Sequence, residues 1–290
     1  MIKTSPRPLP PSIVSRRKPE RLPKRNRMTL ALATVCEGGL MIAADTRVSY
    51  QDGTIGDVQK VTGFAAHDGM LTIAHSSHDA NAADSLIRKI RERIENSAVG
   101  NFSEVEHRIE DALREWYVPI HDDRPTIQLL VGACVQSSQS ERALYLCEPP
   151  NTVSRIWDSY RAIGDGWRIS DPIYKWFERR ESRSAHACLC QISYMMHRAK
   201  KLLPGSVGGQ TDVAFLIGAA TAPYWIKRVN MATAEAYGIN LDCQLSSITS
   251  AIMGNNPGEI AGLLEGIEQC NLLYSSLRSH TQIEHYTITA

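Results

Sequence analysis

From Thr29 onward the chain alternates between two hydrophobic rhythms. Leu30–Cys36 is a short apolar run, Glu37-Gly38-Gly39 supplies turn residues, and Leu40–Ala44 is a second apolar run. Two such runs around a glycine turn predict a β-hairpin buried on at least one face. Asp45-Thr46-Arg47 ends the second strand in polar groups, and Gln51–Gly56 reads as a loop. Val58–Phe64 and Met70–Ala74 read as two further strands around a His67-Asp68-Gly69 turn. The period then lengthens. Ala80, Ala83, Leu86, Ile87, Ile90 and Ile94 fall on one face of a helix over Ser77–Asn96. Phe102–Ile120 repeats that spacing, with Ser103 and Glu106 placed as a capping box. Strands resume at Ile127–Gln136, Ala143–Cys147, Val153–Trp157 and Tyr160–Ile163. Helices over Ser170–Arg180 and Ser184–Leu203 follow, then strands at Asp212–Gly218 and Tyr224–Val229. Residues 230–290 read as mostly helical, including Pro257–Arg278.

The order is four strands, two helices, more strands, two helices and strands again. Antiparallel hairpins interleaved with helix pairs predict two sheets packed face to face, each with a helix pair on its outer side. The expected class is α+β, a four-layer αββα sandwich. The expected organisation is an extension over 1–28, a domain over 29–229 and a helical extension over 230–290.

Charge changes the picture at one end only. Residues 1–27 hold nine Lys/Arg, one acid (Glu20) and six prolines, whereas the remaining residues carry 23 basic and 30 acidic side chains. So basic and proline-rich a segment cannot bury enough apolar surface to fold by itself. It lacks the apolar stretch of a secretory signal. Three readings stand: an arm for nucleic acid or membrane, a disordered extension, or untranslated sequence ahead of a start at Met28. The 290 residues, 43% of them hydrophobic, suffice for a sizeable core. No apolar run approaches the roughly 18 residues of a membrane span. The seven cysteines are odd in number, sit mostly in apolar runs and form no CxxC pair. That argues against a disulfide scaffold or structural zinc and predicts a reducing, cytoplasmic setting.

Candidate chemistry starts at Met28-Thr29. Methionine aminopeptidase removes an initiator Met before a small residue, so a start at Met28 would leave Thr29 with a free α-amine. That amine has a reference pKa near 8. It lies beside the hydroxyl of its own residue and can take that proton, directly or through a water. A hairpin turning at Gly38-Gly39 could bring Asp45 back beside Thr29, and Lys60, near the next strand, could pair with Asp45. A lysine ammonium near the hydroxyl would favour the alkoxide, with Asp45 holding that lysine charged and oriented.

The segments Thr29-Leu-Ala-Leu-Ala-Thr-Val, Gly39-Leu-Met-Ile-Ala-Ala-Asp45-Thr-Arg47 and Gln59-Lys60-Val61 resemble the start of proteasome β-type subunits. These are N-terminal-nucleophile (Ntn) hydrolases of the αββα fold. The Met-Thr start resembles their bacterial relatives without a propeptide, HslV and the ancestral β-subunit type called Anbu. Ala162-Ile-Gly-Asp-Gly166 resembles the family's Gly-Ser-Gly turn, and Ser206-Val-Gly-Gly-Gln-Thr-Asp212 resembles its segment entering a late strand. The resemblance implies Thr29 as nucleophile, Asp45 as its supporting carboxylate, Lys60 as its lysine and Arg47 as a nearby basic residue. Asp165 takes the place of the family serine near the terminal amine. His75 falls near the glycine whose backbone N–H serves the oxyanion. The family's later Asp and Ser have no clean counterpart; Pro204, Ser206 and Val207 stand near their place.

The resemblance implies a threonine-type endopeptidase acting on peptides or unfolded protein inside a homo-oligomeric ring or open multimer. No cofactor or metal is called for. Membrane and nucleic-acid partners are not expected, and an ATP-dependent unfoldase partner is left open. The alternatives are an inactive subunit that keeps the fold as scaffold, and an amidase acting on a small amide. Other groups have plainer readings. His75, His78 and Asp79 read as a loop capping a helix rather than a metal site. Cys188 and Cys190 point to different helix faces. Trp157, Tyr160, Trp167, Tyr174, Trp176 and Phe177 read as core or subunit interface, and Gly164-Asp165-Gly166 as a turn.

Overall fold

The computed structural model describes residues 29–49, 54–66, 69–97, 100–118, 125–135, 142–150, 152–178, 184–217, 225–253 and 283–284. The basic segment 1–28 and the expected helix Pro257–Arg278 lie outside the described residues. The fold is mixed α/β, with five helices among the described residues. The first hairpin is β1 (Leu30–Cys36) and β2 (Gly39–Asp45). Two short strands, β3 (Arg47–Ser49) and β4 (Ile55–Asp57), pair with each other. Then come β5 (Val61–Ala66), β6 (Gly69–Ser77), α1 (Ala80–Glu95) and α2 (Phe102–Tyr117). The next four strands are β7 (Ile127–Val135), β8 (Arg142–Glu148), β9 (Thr152–Ile156) and β10 (Tyr160–Gly164). The chain continues through α3 (Trp167–Glu178), α4 (Ala185–Leu202), β11 (Thr211–Ile217), β12 (Trp225–Val229), α5 (Met231–Met253) and β13 (Ile283–Glu284).

One sheet has the order β10-β1-β2-β11-β12-β13 and the other β5-β6-β7-β8-β9. The period-2 alternation sorts side chains into three cores. Leu30, Leu32, Met41 and Ala43 of the first hairpin pack with Tyr174 of α3 and Ile192, Met195 and Met196 of α4. Their neighbours Ala31, Ala33, Leu40, Ile42 and Ala44 turn the other way and meet Met70, Ala74, Leu130 and Leu144 of the second sheet. On that sheet, Leu71, Ile73, Leu129 and Val131 face the apolar sides of α1 and α2. Strands covered on both faces read as continuous apolar runs, which is why β1 and β2 show little polar alternation. α5 packs along α4, with Ala234 and Tyr237 in the core beneath it.

Several boundaries move from those the sequence predicts. The strand expected over Val58–Phe64 begins only at Val61, which leaves Lys60 just ahead of the ladder. The helix cap expected at Ser103 instead sits two residues earlier, at Asn101. Asn101 accepts from the Glu104 N–H at 3.0 Å, and a Glu104 oxygen accepts from Gly100 N at 2.6 Å. Burial of Phe102 decides this, because Tyr145 donates to its carbonyl from inside the core. α3 starts one turn before the expected Ser170, because the Gly166 carbonyl accepts from the N–H groups of Ile169 and Ser170. The expected aromatic cluster divides. Tyr160 and Tyr174 stack at 4.0 Å in the core, whereas Trp157, Trp167 and Trp176 are exposed.

Candidate active site

The hairpin register places the first charged pair. Ala31 stands opposite Ala44, so the next step along the ladder sets Leu30 beside Asp45. The Leu30 N–H donates to Asp45 Oδ1 at 3.0 Å. On the other side β11 sets Thr211 opposite Asp45. The Gly208 N–H, from the loop before β11, donates to Asp45 Oδ2 at 2.9 Å. Lys60 completes the group. Its Nζ donates to Thr29 Oγ1 at 2.7 Å, to Asp45 Oδ1 at 3.2 Å and to the Arg47 carbonyl. An ammonium has three N–H bonds, and all three are spent. Thr29, Asp45 and Lys60 are 4%, 0% and 2% exposed.

Burial holds the Asp45 carboxyl above its ordinary range, opposed by the Lys60 ammonium and the Gly208 and Leu30 N–H groups. Burial also holds Lys60 below its ordinary range, opposed by Asp45. Burial pushes both groups toward neutrality, and the hydrogen bonds between them and to the backbone oppose it. Chemically, the arrangement aims a cation at a hydroxyl oxygen and orients it from behind with a carboxylate.

The supporting residues divide. The Arg47 side chain donates to the Pro204 carbonyl at 2.6 Å and lies against Gly208, where a Cβ would strike its guanidinium. Arg47 offers the site its main-chain carbonyl and a positive charge that helps hold the Lys60 pKa down. Asp165 lies in the turn between Gly164 and Gly166. Gly164 has φ +81°, and a Cβ there would collide with the Thr29 carbonyl oxygen, so this turn needs glycine to close on Thr29. His75 lies near the end of β6 and is 2% exposed. The pairing of Val61 with Ala74 puts it across from Lys60 at the next step. His78 and Asp79 fit the plainer reading: Asp79 caps α1, accepting from Ala82 N at 3.1 Å. No group of three or more His, Cys, Asp or Glu side chains suited to a metal occurs among the described residues. No helix among them is long and apolar enough to cross a membrane.

Sequence reasoning missed the groups that hold the site from behind. Gly208 was seen only as part of a loose loop match. Asp212 Oδ2 accepts from Val61 N at 3.2 Å, and Asp212 Oδ1 from Arg228 at 3.1 Å. Arg228 also donates to the Val61 carbonyl at 2.8 Å, and the Gln59 amide oxygen faces the same guanidinium. This bracket fixes the residues on either side of Lys60. Its one sequence signal was a charged residue entering an apolar strand run at Asp212-Val-Ala-Phe-Leu-Ile217. A second group lies beside Asp45: Lys200 donates to Thr211 Oγ1 at 2.8 Å and to Glu235, joining α4, β11 and α5.

With this geometry in place, similarity to solved structures can be weighed. An Anbu (Gly-1) mutant from Hyphomicrobium sp. strain MC1 superposes with a TM-score of 0.61 at 17% identity, over 77% of this chain and 97% of that one. Anbu (ancestral beta-subunit) from Yersinia bercovieri gives 0.60 at 17%, with the same coverage. The helical assembly of the Anbu complex from Pseudomonas aeruginosa gives 0.59 at 16%, over 79% of this chain and 97% of that one. The chain has the fold of the Anbu proteins. No protein-family model and no curated protein matches it.

Proposed function

We propose that the chain is a threonine-type peptidase of the proteasome β-like kind, with Thr29 as nucleophile once its amine is free. The observation that carries this reading is the Lys60 ammonium 2.7 Å from Thr29 Oγ1, backed by Asp45. Thr29 Oγ attacks the peptide carbonyl carbon while its proton passes to the α-amine of the same residue. Lys60 stabilises the oxygen as charge develops on it. The C–N bond breaks, the leaving amine takes the proton, and an ester to Thr29 remains. Water then adds to the ester, giving its proton to the amine; the C–Oγ bond breaks, Oγ takes that proton back from the ammonium, and the acid is released. Lys60 and Asp45 act throughout by electrostatics and orientation.

The succession of three cores supports the four-layer αββα reading. We assign the hydrolase domain to 29–229, with the helical extension after it, an extension over 1–28 ahead of it and a cytoplasmic setting. The Pseudomonas neighbour, described as a helical assembly, supports a homo-oligomer.

A peptide α′,β′-epoxyketone tests the reading. It closes a morpholine ring only with a hydroxyl and a free amine on one residue. The expected result is a chain beginning at Thr29, adduct on that residue by peptide mass, and loss of both peptide hydrolysis and adduct in Thr29→Ala. A mature chain that keeps residues ahead of Thr29 and takes no adduct assigns it to the scaffold class. Adduct formation with turnover of small amides alone assigns it to the amidases.

A further inference from the structure

Around the Thr29 hydroxyl nearly every polar atom is committed. Lys60 has no N–H to spare, and both Asp45 oxygens are occupied. His75 is different. Its ring is buried, and among the described residues neither Nδ1 nor Nε2 has a hydrogen-bond partner; the adjacent Ser76 Oγ, also buried, has none either. An orphaned buried polar group is unfavourable, and an imidazole carries two. The ring's position adds to the anomaly. The β5–β6 ladder ends at Val61 and Ala74, which puts Lys60 and His75 across from each other on one face at the end of the sheet. The following residue, Ser76, faces the other way and reaches the Gly164 turn. A Cβ on Gly164 would lie 2.6 Å from Ser76 Oγ and collide with the Thr29 carbonyl oxygen. Ser76 thus lies against the turn that closes on Thr29, and His75 lies beside Lys60, whose Nζ reaches Thr29 Oγ1.

We infer that His75 is a catalytic residue whose ring N–H donates to the carbonyl oxygen of the amide under attack by Thr29. The inference deepens the peptidase reading above and rests on it. The ring's charge state fits the role. Burial, with the Lys60 ammonium beside it, pushes the His75 pKa down to about 4. The ring is therefore neutral at working pH and too weak a base to take the Thr29 proton. What remains is a donor, and a neutral imidazole is an effective electrophile when its pKa is lowered in this way. The sequence reading assigned residue 75 only a backbone N–H. The side chain adds a second donor, which a glycine there would lack. The step itself is unchanged: the Oγ–C bond forms, the carbonyl π pair moves to oxygen, and the His75 N–H bond to that oxygen shortens without transferring its proton.

Four forms of the full chain test this: wild type, His75→Phe, His75→Asn and His75→Gln. Phe keeps an aromatic ring without a donor, whereas Asn and Gln place an amide N–H near the Nδ1 and Nε2 positions. The substrate is a fluorogenic peptide amide, and the oxyanion probe is a peptide aldehyde, which forms a hemiacetal with the threonine hydroxyl. His75→Phe is expected to lower kcat by about 10²–10³-fold, to leave KM within about threefold, and to weaken aldehyde inhibition in parallel with kcat. Asn or Gln should recover about tenfold or more of that loss. Because His75→Phe removes two orphaned polar atoms, its Tm should rise while its activity falls. A merely structural histidine would lower both. Unchanged kcat in His75→Phe, a loss confined to KM, or failure of both amide variants to recover activity with wild-type circular dichroism overturns the inference. If His75→Phe does not fold, the parallel between kcat and aldehyde affinity in the Asn and Gln variants decides it. A wild-type chain that takes epoxyketone on Thr29 while the His75 variants match it in kcat removes this inference alone. A wild-type chain inert to epoxyketone removes the peptidase reading with it.

Discussion

Two clusters of charge in this molecule share a plan, a carboxylate held by cations, and differ in where they sit. At the end of the first hairpin, Asp45 and Lys60 are 3.2 Å apart with side chains 0% and 3% exposed. Between α4 and α5, Asp242 meets Arg198 at 3.0 Å, Lys201 at 3.1 Å and His197 at 3.4 Å, and Lys201 is 57% exposed. Water reaches the cations of the second cluster, although Asp242 itself is only 9% exposed. Although burial of Asp242 opposes its charge, Lys201 and Arg198 hold its carboxyl below the usual range. In the first cluster burial wins, and both partners are pushed toward neutrality despite their attraction. An exposed ion pair adds little and is dispensable. A buried pair is costly to create and costlier to break, because removing one member strands the other. On the proposed reading, Lys60 is buried against Thr29 for catalysis rather than for stability.

The comparison can be broken or sharpened by measurement. Lys60→Met leaves Asp45 buried without its cation. It should cost about 3–5 kcal/mol, read as a fall in the urea midpoint at unchanged m-value. A loss no larger than that of an exposed pair would erase the distinction between the clusters. The pH dependence comes next. The folded pKa of His75 is depressed from 6.5 to about 4, so the folded state binds fewer protons than the unfolded one across that window. Its contribution is full above pH 6.5 and is lost as pH falls toward 4, amounting to roughly 3 kcal/mol. Thermal melts between those pH values should show the slope in wild type and a shallower one in His75→Phe; equal slopes would count against it. Asp212→Asn should be intermediate. It weakens the bracket around Val61 and leaves Arg228, 17% exposed, without its counter-charge. A loss of about 2 kcal/mol is expected, with a fall in peptidase kcat as Lys60 loosens. Smallest is Lys201→Met, a side chain 57% exposed, expected to cost less than about 1 kcal/mol. Half-molar salt should shrink even that, and hydrolysis should be unchanged.

The parts of the candidate site that could be read from the sequence are those set by local geometry. Thr29 and Asp45 belong to one hairpin, and a short turn between two apolar runs fixes which residues return beside which. Lys60 follows within the next turn of chain. Other features were hidden for identifiable reasons. Arg47 reads as a nearby basic residue, but that its guanidinium meets the Pro204 carbonyl depends on a loop 157 residues away. Ser103 reads as a helix cap, yet burial of Phe102 shifts the cap to Asn101. Gly208 is an ordinary loop glycine until β11 lands beside β2 and its N–H meets Asp45.

The sequence by itself determined the alternation of strand and helix, the two faces of each strand and the succession of Thr29, Asp45 and Lys60, because period and turn length act over a few residues. Tertiary structure alone decided that Gly208 and the Asp212–Arg228 bracket close around that group, and that the His75 ring is buried with its hydrogen bonds unspent. Those facts depend on which distant strands become neighbours and on how much water is excluded between them. Both are collective outcomes of packing the whole chain and belong to no single stretch of it.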